Sequence, residues 1–209
     1  MSFELDTNEM RKADRLNTSI RESGKYIGTI TRAEKLLSKN KTEGLGLSFK
    51  TDDGATANYL DLYTVNNNGE KLPSMATAQA IFCCSKTRDT TEGVIKFKAW
   101  DKDAKAEIDK TATGYPALIG KRIGLLLQQE LSTNSNNGEE VDRVIIYGVF
   151  EADTGFTSSE ILDKATQPEK LNKMVASMKP VNDRRTYKSV VTQDAGGSFS
   201  DFDASIPFN

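Results

Sequence analysis

Six short β-rich runs, separated by turn residues, occupy residues 26–150 of the chain. Valine, isoleucine and aromatic residues concentrate in these runs, which is typical of strands. Asp-Gly at 53–54 and Asn-Gly at 68–69 and 137–138 lie between runs, where tight or bulged turns need a positive φ. The pattern predicts a mainly β fold. The runs are residues 26–31, 45–49, 57–63, 94–100, 121–127 and 143–150.

Helical patterns interrupt and flank these strands. Residues 72–84 carry apolar side chains at helical spacing with Pro73 near the start, so we expect a helix that covers one end of a barrel. Residues 158–178 suit one or two helices broken near Pro168. Five or six strands with an inserted helix suit a small closed or partly open antiparallel β-barrel, among which the oligonucleotide-binding (OB) fold is common.

The chain is long enough for one main domain with appendages, since it has 209 residues. Residues 1–24 are expected to be an N-terminal helical extension, because apolar residues recur at helical spacing over residues 6–20. Residues 25–178 are predicted to form an OB-fold-like β-barrel domain with peripheral α-helices. Residues 179–209, which are polar and contain glycine and serine, are predicted to be a flexible linker and an acidic tail.

The chain has no histidine, which removes the commonest general base and the usual mixed zinc sites. We therefore expect no enzymatic activity, no metal and no cofactor. A carboxylate-metal nuclease is the enzymatic alternative, although no carboxylate cluster suggests a two-metal site. The adjacent Cys83 and Cys84 fall in a helical pattern and are expected to be buried thiols. No apolar run is long enough to span a membrane, and no signal peptide is evident, which favours the cytoplasm.

Alternation along three strands divides their side chains into two faces. Leucines 45, 47, 60 and 62, with Phe49, Ile95, Phe97 and Ala99, are expected to fill the barrel. The opposite faces would present aromatic rings that can stack on bases, with lysines beside them to contact phosphates. The alternative is that these rings pack beneath the N-terminal helix or the 158–178 segment, and the pattern alone favours neither. The outward residues are Tyr59, Tyr63, Trp100, Lys50, Lys96 and Lys98.

The formal charge of −2 is unevenly distributed along the chain. Residues 21–50 hold seven bases against three acids, whereas residues 193–209 hold three acids and no base. A basic loop after the first strand could close over a nucleic-acid strand, and a solvated charged loop is the alternative. The residues expected around this loop are Arg32, Lys35, Lys39 and Lys41.

The chain ends in a short acidic and apolar motif after a Gly-Gly-Ser stretch. Two apolar anchors beside a proline and preceded by acids suit a pocket rimmed with basic residues, so we expect a docking peptide here. The residues are Asp201, Phe202, Asp203, Ile206, Pro207 and Phe208.

This motif resembles the acidic C-terminal tip of bacterial single-stranded DNA-binding proteins, which typically reads Asp-Phe-Asp-Asp-Asp-Ile-Pro-Phe. Ala204 and Ser205 replace acids of that pattern, and Asn209 extends beyond the final phenylalanine. The stretch that begins Gly24-Lys-Tyr-Ile-Gly-Thr-Ile-Thr and the Leu-Gly-Leu-Ser-Phe strand at 45–49 are similar to a family of phage single-stranded DNA-binding proteins.

The resemblance implies a protein that binds single-stranded DNA without sequence preference during phage DNA replication, recombination and repair, in the cytoplasm of a bacterial host. It also implies that replication and recombination proteins dock on the tail. A homodimer through the barrel edge would be compatible with this role. The alternative from another class is a protein-interaction or recombination-mediator module that binds single-stranded DNA only weakly.

Overall fold

The computed structural model describes residues 19–101, 106–134 and 137–185. This part of the chain is mainly β, as the sequence predicts. The acidic tail, residues 201–208, lies outside the described residues, as does the expected N-terminal helix up to residue 18. Ser19 and Ile20, at the end of that expected helix, are extended instead: Ser19 bridges Thr56 of a neighbouring strand, and the Ile20 amide donates to the Thr56 carbonyl at 2.8 Å.

Eight strands and three short α-helices are present in the described ranges. The strands are β1 (Gly24–Leu37), β2 (Glu43–Thr51), β3 (Thr56–Val65), β4 (Gly93–Asp101), β5 (Ala106–Gly114), β6 (Arg122–Thr133), β7 (Glu140–Phe150) and β8 (Val181–Asp183). The helices are α1 (Ser74–Cys84), α2 (Ser158–Leu162) and α3 (Lys170–Ser177), and a short 3-10 turn covers Pro116–Leu118.

β1 is the strand that joins the sheet together. Its residues 28–37 pair with β2, whereas its residues 24–29 pair with β6 on the other edge. At Gly28 both partners are present, because this residue is opposite Thr51 of β2 and Ile123 of β6. A Cβ atom at position 28 would lie 2.1 Å from the Lys50 carbonyl oxygen, so the crossing requires glycine.

The resulting strand order is β3-β2-β1-β6-β7. The β4–β5 hairpin joins β1 through the pairing of Glu34 with Gly114, and β8 runs parallel to β6 beyond residue 178, where the sequence analysis ends the domain. No β-ladder joins β3 to β7 in the ranges that the structure covers, so the sheet is open and a closed barrel is not formed. Both strands are involved in a register shift, and such bulges bend a strand and interrupt regular pairing.

The core lies between the curled sheet and α1. The predicted inward residues of β2 and β3 are buried, which confirms their assignment: Leu45, Leu47, Phe49, Leu60 and Leu62. In β4 only Ile95 is buried as predicted, since Phe97 and Ala99 are half-buried.

Helix α1 confirms the expected helix at residues 72–84, and its Ala78 and Ile81 pack into the core. Both cysteines are free thiols, with Cys84 buried and Cys83 half-buried. Burial raises the pKa of Cys84 to about 12, so this thiol stays protonated at neutral pH. None of the helices in the described residues is long and apolar enough to cross a membrane.

The expected break near Pro168 is also present, since α2 and α3 flank it. Glu160 of α2 is buried and closes a capping box with Thr157. One of its carboxylate oxygens accepts the Thr157 amide at 2.9 Å, and the other accepts the amides of Glu169 and Lys170 at 2.8 and 2.7 Å. Burial alone would raise the pKa of Glu160, but these donors outweigh it and lower the pKa to about 2. One carboxylate therefore joins the start of α2 to the start of α3.

We expect Glu160→Gln to lower the free energy of unfolding by about 1–3 kcal/mol at neutral pH, because an amide nitrogen would face backbone donors. The pKa of Glu160 is lower in the folded state than the ordinary 4.5, so its stabilisation is present above that value and is lost as the pH falls towards about 2. Urea unfolding at several pH values measures this. The difference from the wild type should shrink in acid, and the exposed Glu169→Gln is the control; equal stability of wild type and Glu160→Gln at neutral pH would contradict the assignment.

Candidate nucleic-acid interface

The outer face of β3 carries two exposed aromatic rings. Tyr59 is 60% exposed and Tyr63 is 41% exposed, with Asp61 between them. On the neighbouring strand β2, Gly44 is opposite Tyr63 and Gly46 is opposite Asp61. Both glycines are buried, and the side chains of Leu36, Arg32 and Asp61 occupy the space above Gly46, whereas the two tyrosine rings remain exposed. The predicted outward direction of Tyr59 and Tyr63 is therefore confirmed.

Tyr59 lies in a β-bulge. The register passes from Leu47 opposite Leu60 to Phe49 opposite Ala57, which leaves Asn58 and Tyr59 together opposite one residue of β2. Tyr59 has φ of 59°, a left-handed conformation that costs a side chain such as tyrosine about 1–3 kcal/mol. Backbone strain of this kind is concentrated at functional sites.

Arg32 of β1 links this face to the β4–β5 hairpin. Its guanidinium carbon lies 5.6 Å from the centre of the Tyr59 ring and 5.1 Å from that of Phe97, within the range of cation–π contacts. Its Nε donates to Glu34 Oε2 at 2.8 Å, and its Nη2 also pairs with Glu34. Arg32 is 7% exposed and lies within a strand, so it is not in the basic loop where the sequence analysis placed it.

The hairpin turns Phe97, not Trp100, towards Arg32. Pairing between β4 and β5 is regular over the described residues, so side chains alternate and Trp100 lies on the face opposite Phe97. Lys96 and Lys98 share the Trp100 face, where Glu107 is opposite Trp100 and Asp109 is opposite Lys98. The three aromatic residues therefore do not form the single group that was expected. Tyr59 and Tyr63 lie on the outer face of β3, whereas Trp100 lies on the face of the β4–β5 hairpin opposite to Phe97.

The remaining predicted cations occupy different surroundings. Lys35 lies in β1 and pairs with Glu92 at 2.7 Å, and this hydrogen bond raises its pKa. Lys39 and Lys41 are exposed in the turn between β1 and β2, as expected. Lys50 is exposed near the end of β2, between Thr29 of β1 and Thr56 of β3.

An open groove of about 500 Å³ separates β3 from β7. Tyr59, Asp61 and Tyr63 form one wall, and residues 143–146 of β7 form the other. Arg143 projects from β7, and its Nη2 donates to the buried Glu130 Oε1 at 2.7 Å. A second hollow of about 330 Å³ shares Tyr59, Asp61 and Arg143 with the first, so the two form one continuous groove.

Asp61 is one of three acidic residues that line this groove, the others being Glu130 and Asp142. Burial raises its pKa above the ordinary value, the nearby Glu34 raises it further, and Arg32 and Arg143 oppose the shift. The groove thus combines two tyrosine rings, two arginines (Arg21 and Arg143) and three acidic residues. Its polar and aromatic walls suit a flexible ligand with flat rings.

No group of Cys, Asp and Glu side chains in the described residues is placed to hold a metal ion. No family model matches the chain, and no curated protein matches it. Function is therefore inferred from the groove and from the sequence resemblance.

The sequence pattern does not place Phe97 at the site, and it gives Arg143, on one face of the last strand, only little weight. Phe97 alternates with lysines in the way a core residue does, and its contact with Arg32 depends on how the hairpin folds over β1. Arg143 lies 84 residues after Tyr59 in the chain, and only the curvature of the sheet brings the two together.

The strained backbone at Tyr59 allows a test of whether the ring or the backbone conformation of this residue matters more for stability. Tyr59→Gly removes the left-handed penalty, so we expect its free energy of unfolding to stay within about 1 kcal/mol of the wild type. Tyr63→Gly, at a strand residue whose φ is not positive, should lose more than that. Chemical denaturation of both variants measures the difference. A Tyr59→Gly variant that is the less stable of the two would show that the ring is needed for folding.

Proposed function

We propose that the protein binds single-stranded DNA without sequence preference, and that the groove between β3 and β7 is the binding site. The observation that carries the proposal is the pair of exposed tyrosines, Tyr59 and Tyr63, beside the glycines of β2. Bases stack on such rings whatever their identity, and each stack contributes about 1–3 kcal/mol. The Tyr59 ring contacts Arg32 and is still 60% exposed, which leaves ring surface on which a base could stack.

The arrangement of the strands supports the proposal of a single-stranded DNA-binding protein. We interpret β1, β2, β3, β6 and β7 as the five strands of an OB fold, with α1 after the third strand and the β4–β5 hairpin as an insertion. In OB folds the face formed by the second and third strands binds oligonucleotides. Here β2 and β3 carry the glycines and the tyrosines, in agreement with that arrangement.

The charges around the groove favour stacking over phosphate contacts as the main source of affinity. Arg32 is paired with Glu34, Lys35 with Glu92, and Arg143 with Glu130. An ion-paired cation releases fewer counterions when it meets a phosphate, so the salt dependence of binding should be modest for these three residues. Lys50, Lys39 and Lys41 are exposed and supply the salt-sensitive part.

The biological role follows from the sequence resemblance. We propose that the protein protects single-stranded DNA during phage replication, recombination and repair in the host cytoplasm, as a binding protein without catalytic activity. The tail at 201–208 would recruit replication or recombination proteins through its apolar anchors and acids. A protein-interaction or recombination-mediator module is the competing function.

The double substitution Tyr59→Ala/Tyr63→Ala should weaken binding to oligo(dT) by at least about 30-fold, because two lost stacks remove about 2 kcal/mol or more. Fluorescence anisotropy of a labelled oligonucleotide measures this at fixed salt. Tyr147→Ala is the matched control, since Tyr147 is also an exposed tyrosine but lines a different hollow. Trp100→Ala reports whether the far face of the hairpin takes part.

Unchanged affinity in the Tyr59→Ala/Tyr63→Ala variant, with unaltered circular dichroism, would exclude this groove as the site. If the wild type itself fails to bind oligo(dT) at low salt, the single-stranded DNA function is wrong and the protein-interaction module replaces it.

Asp61→Asn should strengthen binding, because a carboxylate beside the DNA backbone repels it by about 1 kcal/mol, or roughly fivefold in affinity. The pKa of Asp61 is raised, so the wild type should gain affinity as the pH falls and this carboxyl becomes protonated, at a higher pH than an ordinary aspartate would. The variant should lack that gain. Oligo(dT) titrations between neutral and mildly acidic pH compare the two, and parallel pH profiles would contradict the placement of Asp61 near bound DNA.

A further inference from the structure

A second cleft, of about 640 Å³, adjoins the groove at the far end of β6. Three of its lining residues are cations, Arg143, Lys179 and Arg184, and we refer to it as the basic cleft. Its acidic lining residue, Asp183, is paired with Arg185 at 2.9 Å. The other lining residues are Ser132, Thr133 and Asn182. Positive charge therefore exceeds negative charge on this surface.

One buried carboxylate orients the arginines of the basic cleft. Glu130 Oε1 accepts from Arg143 Nε and Nη2 at 3.2 and 2.7 Å, and Glu130 Oε2 pairs with Arg184 Nη1 at 3.5 Å. The side chains of Arg143 and Arg184 are still 57% and 64% exposed. Each guanidinium has five N–H donors, and Glu130 engages only part of them. The arrangement holds two cations in place while donors face solvent, as phosphate recognition requires.

Hydrogen bonds from a side chain and from the backbone fix the segment that supplies Lys179 and Arg184. Gln128 Nε2 donates to the Lys179 carbonyl at 2.9 Å, and the Arg184 amide donates to the Leu131 carbonyl at 2.8 Å. Between them, β8 pairs in parallel with residues 129–131 of β6. Lys179 and Arg184 are thus held against β6 by these hydrogen bonds.

Arg143 lines both the groove and the basic cleft, so the two surfaces meet at this side chain. We infer that a strand of DNA stacked on Tyr59 and Tyr63 continues across Arg143 into the basic cleft, where its phosphates contact Lys179 and Arg184. This inference rests on the proposed function and extends it, because it assigns the direction in which the bound strand leaves the aromatic groove. It also makes binding dependent on oligonucleotide length.

The test compares Lys179→Gln, Arg184→Gln and the double variant with the wild type, in the full chain. Oligo(dT) of about 4 to about 16 nucleotides, the range that single OB folds cover, is titrated at several salt concentrations. For long oligonucleotides the double variant should lose affinity, and the slope of log K against log salt should fall in magnitude by about 0.7 to 1.4, since each phosphate contact on a single strand contributes about 0.7 and Arg184, which is paired with Glu130, contributes less than Lys179. For the shortest oligonucleotides all proteins should bind equally.

Lys121→Gln/Lys173→Gln is the matched control, because both lysines are exposed and line neither the groove nor the basic cleft. The Lys179→Gln variant is expected to fold normally, since the fold uses the backbone carbonyl of Lys179, which the substitution retains. If the wild type binds long oligonucleotides and the double variant matches it in affinity and salt slope, the path through the basic cleft is wrong while the proposed function stands. If the wild type binds no oligonucleotide of any length, both are wrong.

Discussion

The fold depends on one strand that serves two partners. The first half of β1 pairs with β6 and the second half pairs with β2. The change of partner takes place at Gly28, where a side chain would collide with the backbone of β2. Because β1 is shared, the β2–β3 pair and the β6–β7 pair become the two sides of one curved sheet. This curvature brings Tyr59 and Arg143 to opposite walls of one groove, although they are far apart in the chain.

Arg32 was predicted to bind DNA, but its ion pair with Glu34 gives it a structural role. Held between the rings of Tyr59 and Phe97 and bonded to Glu34, Arg32 connects β3 to the inserted hairpin. Burial of a lone guanidinium is costly, and the neighbouring carboxylate together with the two ring faces offsets that cost. Arg143 has a similar relation to Glu130, but it remains largely exposed.

Much of the strand content could be predicted because it depends on local patterns. Alternation of leucines with polar residues identified the buried faces of β2 and β3, and the Asp-Gly and Asn-Gly turns do adopt positive φ at Gly54, Gly69 and Gly138. β5 was missed because it is an exposed strand of the hairpin, with only Ile108 and Ala112 half-buried before Gly114, so it has little hydrophobic periodicity. The bulge at Tyr59 and the approach of Phe97 to Arg32 depend on contacts distant in sequence, which no local pattern encodes.

The open edge between β3 and β7 has a mechanical consequence. Where two strands are joined by a ladder, widening the space between them breaks backbone hydrogen bonds, but no ladder joins these two strands over the described residues. The separation of the groove walls is therefore set by side-chain packing, including the contacts of α1 with both β3 and β7, and not by main-chain hydrogen bonds between the two strands. If DNA binds in this groove as proposed, such walls would adjust to purines and pyrimidines at similar energetic cost, and tolerance of any base would be a property of the sheet's incomplete closure as much as of its aromatic rings.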